Sequence, residues 1–210
     1  MIINSVLKQL LGGALLYLAL AGSAVNAGQQ RILVLGDSIS AAYGMSLAQG
    51  WVALLAGRLA ESHPQVTIAN ASISGETTAG ALLRLPDLLA AHTPDIVVVE
   101  LGANDGLRGY PIAGFRSNLS KIVELSQQQN ARVILVQMDI PPNYGTRYTS
   151  AFHDSYSIIA NSTDSALAPF ILDGVAGQPA LMQGDGIHPT AEAQPRLLEN
   201  ILPTLTTLLD

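Results

Sequence analysis

Short apolar runs alternate with longer segments of helical spacing along most of the chain. The run RILVL (31–35) is a compact apolar stretch typical of a buried strand. The segment 47–62 instead places Trp51, Leu55 and Leu59 at the spacing of one helical face. The same reasoning predicts further strands at 66–70, 95–101, 132–138 and 168–173, and further helices at 77–92, 114–130, 149–167 and 191–209.

This alternation predicts an α/β fold. Strands that alternate with helices form a parallel sheet covered by helices on both faces, here a three-layer α/β/α sandwich with a flavodoxin-like parallel sheet of about five strands. The run 95–101 is apolar at nearly every position, as expected for a strand covered on both sides. Pro86 predicts a kink or a restart in the helix 77–92, whereas Pro195 lies near a helix start, where proline is tolerated.

Small polar residues follow the predicted strands. In an open parallel sheet, ligands bind outside the carboxyl ends of the strands. The sequence therefore predicts a site at this edge of the sheet. The segments that would meet there are GDSIS (36–40), NASISGET (70–77), LGANDG (101–106), MDIPPNYGTRY (138–148) and the late GDGIHP (184–189).

Ser38 is a candidate nucleophile that needs a base to take its proton. His188 is the candidate base, because it lies in a turn-rich segment with Asp185 three residues before it. A carboxylate at that spacing can hold one imidazole nitrogen and leave the other for Ser38. Asp185 could also be a simple turn former, since Asp-Gly pairs are common in turns. The remaining histidines are predicted to lie at helix ends or within a helix: His63, His92 and His153.

Acyl transfer also requires hydrogen-bond donors for the oxyanion. Gly36 and Gly75 give the backbone room to turn N–H groups inward, and Asn104 can donate through its amide. Each of these residues alone is an ordinary loop residue. Their joint position after separate strands favours a hydrolase site.

Four sequence blocks resemble those of the GDSL-type, or SGNH, hydrolases. They occur in the family's order and span nearly all of the chain after residue 27. Two departures are mild: Ile39 replaces the Leu of the family name, and Ala103 replaces a common Gly. Longer segments, including VELGANDGLRG and PPNYGTRY, are similar to thioesterase and arylesterase members of the family. The blocks are GDSIS (36–40), the glycine of ISGET (73–77), GAND (102–105) and DGIH (185–188).

The resemblance implies a role for each matching residue. Ser38 would be the nucleophile, His188 the general base and then acid, and Asp185 the residue that orients His188. The implied oxyanion donors are the Ser38 and Gly75 backbone N–H groups and the Asn104 side chain. The implied supporting residues are Asp37 and Asp105. The family uses no metal, and we expect no cofactor.

The resemblance also implies a broad range of acyl substrates. These are acyl thioesters, aryl and short-to-medium fatty esters, and lysophospholipids. Leu107, Pro142 and Tyr144 could line an apolar crevice for the acyl chain. The alternative is that IPPNYG (140–145) forms a rigid turn that does not contact substrate.

Three other functions each account for part of the sequence pattern. Carbohydrate O-deacetylation would use the same catalytic residues with different binding loops. A non-catalytic module that binds lipid or glycan would be expected to lack Ser38, His188 or Asn104, and all three are present. A nucleotide binder fits the strand pattern, but the first loop lacks the glycine spacing and lysine of a phosphate cradle. The GxSxG motif of α/β-hydrolases is also absent.

The first 27 residues have the pattern of a secretory signal peptide, with Lys8, an apolar stretch and small residues up to Ala27. The apolar run is short for a bilayer span and lacks a basic flank after it, which favours cleavage over a retained anchor. We expect one hydrolase domain at 28–210, in the periplasm or secreted, and monomeric.

Removing Lys8 changes the net charge from −6 to −7, which argues against nucleic acid as a partner. The chain has no cysteine, so it has no disulfides.

Overall fold

The computed structural model describes residues 28–209. Its five strands form one parallel sheet in the order β2-β1-β3-β4-β5. The predicted α/β fold is confirmed, whereas the predicted signal peptide lies outside the described residues. The strands are β1 (Gln30–Gly36), β2 (Val66–Asn70), β3 (Ile96–Glu100), β4 (Arg132–Val136) and β5 (Ala166–Ala168).

Helices cover both faces of this sheet. One layer contains α1 and α6, which pack against each other, and the opposite layer contains α2, α4 and α5. The helices are α1 (Trp51–Ser62), α2 (Thr78–His92), α3 (Ala103–Leu107), α4 (Ile112–Gln128), α5 (Thr146–Thr163) and α6 (Gln194–Thr206). Short 3-10 helices lie at Leu47–Gln49, Pro142–Tyr144 and Ala191–Ala193.

The core is centred on β1, β3 and β4. All five residues of β3 are buried, and its valines lie in register beside Leu33 and Val34 of β1. Burying a Val or Leu side chain contributes about 1.5–3 kcal/mol, so these central strands dominate the hydrophobic stabilisation. The last residue of β3, Glu100, is the exception, because it is a buried acid at the edge where the candidate site forms.

The fifth strand differs from its predicted position. The sequence pattern predicted a helix to residue 167 and a strand at 168–173, but α5 ends at Thr163 and β5 is Ala166–Ala168. Asp164 ends the helix, because it adopts a left-handed conformation with φ 52°. Ile171 and Leu172 are buried in turns that pack on the core. Apolar content alone does not distinguish such a buried turn from a strand.

The helix 77–92 does not restart at Pro86. α2 runs without interruption from Thr78 to His92. Pro86 is exposed, while Leu85 and Leu89 are buried against the core. Packing of this apolar face outweighs the backbone hydrogen bond that proline cannot donate. The short helices α3 and Pro142–Tyr144 were not predicted.

Candidate active site

Ser38 lies in a tight turn directly after β1. The Asp37 side chain accepts a hydrogen bond from the Ile39 N–H at 3.0 Å, which closes the turn. A Cβ at Gly36 would lie 2.7 Å from the Ser40 Cβ and 2.8 Å from a Glu100 carboxyl oxygen. Only glycine fits this approach, so the strand can end beside β3 and present the serine at the sheet edge.

His188 reaches Ser38 from a loop near the end of the chain. A bridge between Met182 and Pro189 closes the base of this loop. The His188 Nε2 atom lies 2.9 Å from the Ser38 Oγ atom, although the two residues are 150 positions apart. The His188 Nδ1 atom lies 2.6 Å from an Asp185 carboxylate oxygen. The structure therefore brings the three predicted catalytic residues into one hydrogen-bonded chain.

Asp185 is held as a carboxylate by its own loop. Its other oxygen accepts the His188 and Ile187 backbone N–H groups at 3.0 and 2.9 Å. The backbone and side-chain hydrogen bonds from His188, followed by the bond from Ile187, lower the pKa of Asp185 to about 2. The carboxylate consequently remains charged at neutral pH and faces the imidazole.

The three predicted oxyanion donors lie after three neighbouring strands. Within residues 28–209, the Ser38 and Gly75 N–H groups donate to no protein acceptor. Asn104 uses one amide hydrogen in a 3.1 Å bond to Asp37, which leaves the second hydrogen available. The Ile73 N–H donates to the Gly36 carbonyl at 3.1 Å, which joins the Gly75 loop to the end of β1.

Gly75 adopts a backbone conformation that favours glycine, with φ +78°. Its carbonyl oxygen accepts a 3.1 Å hydrogen bond from the Arg108 guanidinium. This contact ties the Gly75 peptide to the residue that follows α3. Arg108 was not identified from the sequence, because a single arginine in a loop carries no pattern of its own.

The two predicted supporting acids are buried between loops. Asp105 accepts the Thr78 N–H at 2.9 Å and the Thr78 hydroxyl at 2.6 Å, which links the start of α2 to α3. Asp37 accepts hydrogen bonds from the Ile39 N–H and the Asn104 amide. Both acids thus connect the loops that carry site residues, and their contribution to catalysis stays a prediction.

Tyr43 is a site residue that sequence reasoning missed. Its ring centroid lies 4.2 Å from that of His188, and its side chain is half exposed. Gln183 donates to the backbone carbonyls of Tyr43 and Pro189 at 2.8 and 2.9 Å, which fastens the Tyr43 turn to the His188 loop. An aromatic residue among the small residues after GDSIS was the available signal.

Glu100 was also missed. It is fully buried and accepts the Ser40 hydroxyl at 2.6 Å and the Asp37 N–H at 3.3 Å on the same oxygen. Trp51 donates its indole N–H to Ser40 at 3.1 Å, which completes the cluster behind the nucleophile turn. The available signal was an acid that interrupts the apolar run 95–101.

An apolar cavity of about 440 Å³ lies beside the Ser38–His188 pair. Ile39 and Ile187, the neighbours of Ser38 and His188, line it, as do Leu107 and Pro142 of the predicted crevice. Tyr144 is not among its lining residues and donates instead to the Leu107 carbonyl at 2.7 Å. The lining also includes one acid, Asp139, and the apolar residues Ala103, Met138, Phe170, Leu172 and Met182.

No group of three or more His, Cys, Asp or Glu side chains within residues 28–209 is arranged to hold a metal ion.

Comparison with known families agrees with this geometry. The model of the GDSL-like lipase/acylhydrolase family matches residues 34–195. The chain belongs to this family. The matched region runs from β1 to the start of α6, so it includes the Ser38 turn and the His188 loop of this GDSL hydrolase.

Similarity to named relatives extends over most of the chain. It is 51% identical to the esterase TesA of Pseudomonas aeruginosa over 91% of this chain and 96% of the relative. It is 46% identical to an arylesterase of Vibrio mimicus, over 87% of this chain and 92% of that protein. The thioesterase 1/protease 1/lysophospholipase L1 of Escherichia coli is 41% identical, with 85% of each chain covered.

A solved structure supports the fold. The crystal structure of TesA superimposes with a TM-score of 0.83 at 52% identity, and the match covers 85% of this chain and 99% of that one. The parallel sheet and its layered helices are therefore the fold of this family.

Proposed function

We propose that this protein is an exported serine hydrolase that cleaves carboxylic esters and thioesters of broad acyl type through an acyl-enzyme on Ser38. The observation that carries the proposal is the hydrogen-bonded chain from Ser38 through His188 to Asp185, with distances of 2.9 and 2.6 Å. The relatives named esterase, arylesterase, and thioesterase and lysophospholipase support the same reaction class.

The first half of the reaction forms the acyl-enzyme. The Ser38 Oγ atom attacks the substrate carbonyl carbon while His188 Nε2 accepts the hydroxyl proton. Asp185 holds the Nδ1–H of the imidazole, which keeps Nε2 free to accept and stabilises the positive charge that develops. His188 then returns the proton to the departing alcohol or thiol, and the acyl group remains on Ser38.

The second half releases the acid. Water attacks the acyl-enzyme as His188 takes a proton from it, and Ser38 leaves with that proton. In both halves the negative oxygen is stabilised by the Ser38 and Gly75 N–H groups and by the Asn104 amide. Donors that are already oriented need little reorganisation, which is the source of their catalytic effect.

The apolar cavity favours an acyl chain as its occupant. Ile39, the neighbour of Ser38, lines it together with mainly aliphatic side chains, one phenylalanine and one acid, Asp139. Burying each methylene contributes about 0.8 kcal/mol, which corresponds to about a fourfold gain in kcat/KM until the cavity is filled. A carbohydrate O-deacetylase would need polar groups for a sugar instead, so fatty acyl esters, thioesters and lysophospholipids are the better substrates.

Export is proposed on the pattern of residues 1–27, with a single domain from residue 28 in the periplasm or outside the cell. Over the described part of the chain, none of the helices has the length and apolar character that crossing a bilayer requires. A monomer acting on a small-molecule substrate is the assembly that we propose.

The decisive test is hydrolysis of p-nitrophenyl esters from acetyl to palmitoyl, together with an acyl thioester. We expect the wild type to cleave both types, with kcat/KM rising with chain length over the shorter esters. Ser38→Ala should lower kcat/KM by at least roughly 1,000-fold. Ser62→Ala is the matched control, because Ser62 is exposed at the end of α1.

Two outcomes would contradict the proposal. Ser38→Ala activity within about tenfold of the wild type would exclude Ser38 as the nucleophile. Activity restricted to acetylated sugars, from a folded protein, would favour the deacetylase instead.

A further inference from the structure

Two carboxyl groups lie together behind the nucleophile turn. Asp37 is 1% exposed and Glu100 is 0% exposed. Among residues 28–209, no lysine or arginine forms an ion pair with either group. Two adjacent buried carboxylates without a cation are unfavourable, and such a pair retains a proton.

The contacts indicate which group holds this proton. Asp37 accepts two donors, the Ile39 N–H and the Asn104 amide, both of which favour its charged form. Glu100 accepts the Asp37 N–H and the Ser40 hydroxyl on one oxygen, while its other oxygen is buried and has no hydrogen-bond partner within the described residues. A proton on Glu100 would leave both bonds that this oxygen accepts in place, and a side-chain hydrogen bond joins Glu100 to Asp37.

The electrostatic surroundings agree with this assignment. Burial, followed by the Asp37 charge, raises the pKa of Glu100 well above its usual value. Burial raises the pKa of Asp37 to about 6, while bonds from Ile39, Glu100 and Asn104 and the charge of His188 lower it. Above the pKa of Asp37, that group is ionised, and the Asp37 charge then favours the neutral form of Glu100. Two carboxyl side chains can bond to each other only when one of them carries a proton.

The other titratable groups nearby have separate partners. Asp105 bonds to Thr78, and the buried Tyr156 hydroxyl donates to the Leu101 carbonyl at 2.8 Å. Within residues 28–209, His188 is the base whose charge acts on Asp37, and in the proposed mechanism it becomes a cation during turnover. None of these groups replaces the proton between Asp37 and Glu100.

We propose that Glu100 is a positioning residue held as a neutral carboxylic acid, which donates its proton to Asp37 and fixes the carboxylate that orients Asn104 and the Ser38 turn. Glu100 itself does not touch the substrate. It acts on the oxyanion donor and the nucleophile through Asp37. This inference concerns the site of the proposed hydrolase and rests on that function for its catalytic part.

The test compares Glu100→Gln with Glu100→Leu. Glutamine is the neutral isostere of a protonated glutamate, because its oxygen accepts and its nitrogen donates. We expect Glu100→Gln to keep kcat within about threefold of the wild type, whereas Glu100→Leu lowers kcat at least tenfold with KM within about twofold. Glu61→Gln, at an exposed position of α1, is the matched control for the loss of one acid.

Stability against pH provides a readout that needs no activity. Because the pKa of Glu100 is higher in the folded state than in the unfolded state, the folded state binds more protons. The stability of the wild type therefore falls as pH rises from the unfolded pKa of Glu100 towards its folded pKa. Glu100→Gln lacks this loss. Its unfolding midpoint should therefore rise relative to the wild type as pH increases above the unfolded pKa of glutamate, while Glu61→Gln should not show this rise.

Infrared spectroscopy observes the proton directly. The wild type at pH 8 should show the carbonyl stretch of a protonated carboxylic acid, and Glu100→Gln should not. The inference is overturned if this band is absent, or if the stability of Glu100→Gln falls relative to the wild type as pH rises. Both measurements remain informative if Glu100→Leu does not fold. They also do not depend on whether the enzyme cleaves esters, so they separate this inference from the proposed function.

Discussion

In the proposed mechanism, the Asn104 side chain serves both the fold and the reaction. One amide hydrogen binds Asp37 at 3.1 Å and sets the direction of the amide group. The second hydrogen is then available to an oxyanion without further rotation of the side chain. A donor restrained in this way stabilises the transition state more than one that must first find its orientation.

Replacing Asn104 with Ala should lower kcat by roughly 100- to 1,000-fold, since one oxyanion donor is lost. KM should change little, because a ground-state carbonyl gains less from this donor than the oxyanion does. Steady-state kinetics on a short p-nitrophenyl ester measures both constants. Asn161→Ala, at an exposed position of α5, is the control and should retain wild-type kinetics. A fall of less than about fivefold in kcat would remove Asn104 from the oxyanion hole.

At the scale of elements, α1 links the nucleophile turn to the last helix. Trp51, its first residue, is fully buried and donates its indole N–H to Ser40 at 3.1 Å. Its backbone N–H donates to the buried Gln194 side chain of α6 at 3.0 Å. The start of α1 therefore packs behind the site and connects it with the chain segment that follows the His188 loop.

Trp51→Ala should lower the free energy of unfolding by about 3–5 kcal/mol, because it removes a large buried side chain and leaves a cavity. Denaturant unfolding followed by circular dichroism measures this change. Leu83→Ala is the matched control on α2, where the leucine is 84% exposed, and should stay within about 0.5 kcal/mol. A loss below about 1 kcal/mol for Trp51→Ala would show that the interior closes around the missing ring.

At the scale of the whole molecule, the sheet order brings distant segments of the chain into one site. β1 lies between β2 and β3, so the loops that carry Ser38, Gly75 and Asn104 follow three adjacent strands. The Asp185–His188 segment comes much later in the chain and reaches the same edge through the contact of His188 with Ser38. A single domain is sufficient for every residue of the proposed mechanism.

Residues 1–27 should be removed on export. Expressed with its full sequence in a Gram-negative host, the protein should appear in the periplasmic fraction or the medium with Gly28 as its first residue, which intact-mass spectrometry can establish. Ala27→Arg should block the cleavage, since the peptidase reads small residues at this site. An uncleaved wild-type chain in the membrane fraction would contradict the prediction and favour a retained anchor.

Much of this organisation could be predicted from the sequence, for definite reasons. The strands β1 to β4 were predicted close to their observed positions, because buried strands have local apolar runs. β5 was not, because Ile171 and Leu172 are as apolar as strand residues although they lie in turns. Ser38, Asp185 and His188 were predicted as catalytic residues because their motifs are linear and carry reactive side chains, and the structure brings them within hydrogen-bond distance.

The positions of Tyr43 and Glu100 beside the candidate site could not be predicted from the sequence. Neither residue has a motif, and each gains its significance only from its neighbours: the imidazole beside Tyr43 and the uncompensated Asp37 beside Glu100. The sequence by itself determined the fold class, the reactive groups and their order along the chain, since periodicity and motifs are local properties. Only the tertiary structure decided which atoms meet, how far a carboxyl group is buried and which side chains line the cavity, because these depend on contacts between residues far apart in the chain.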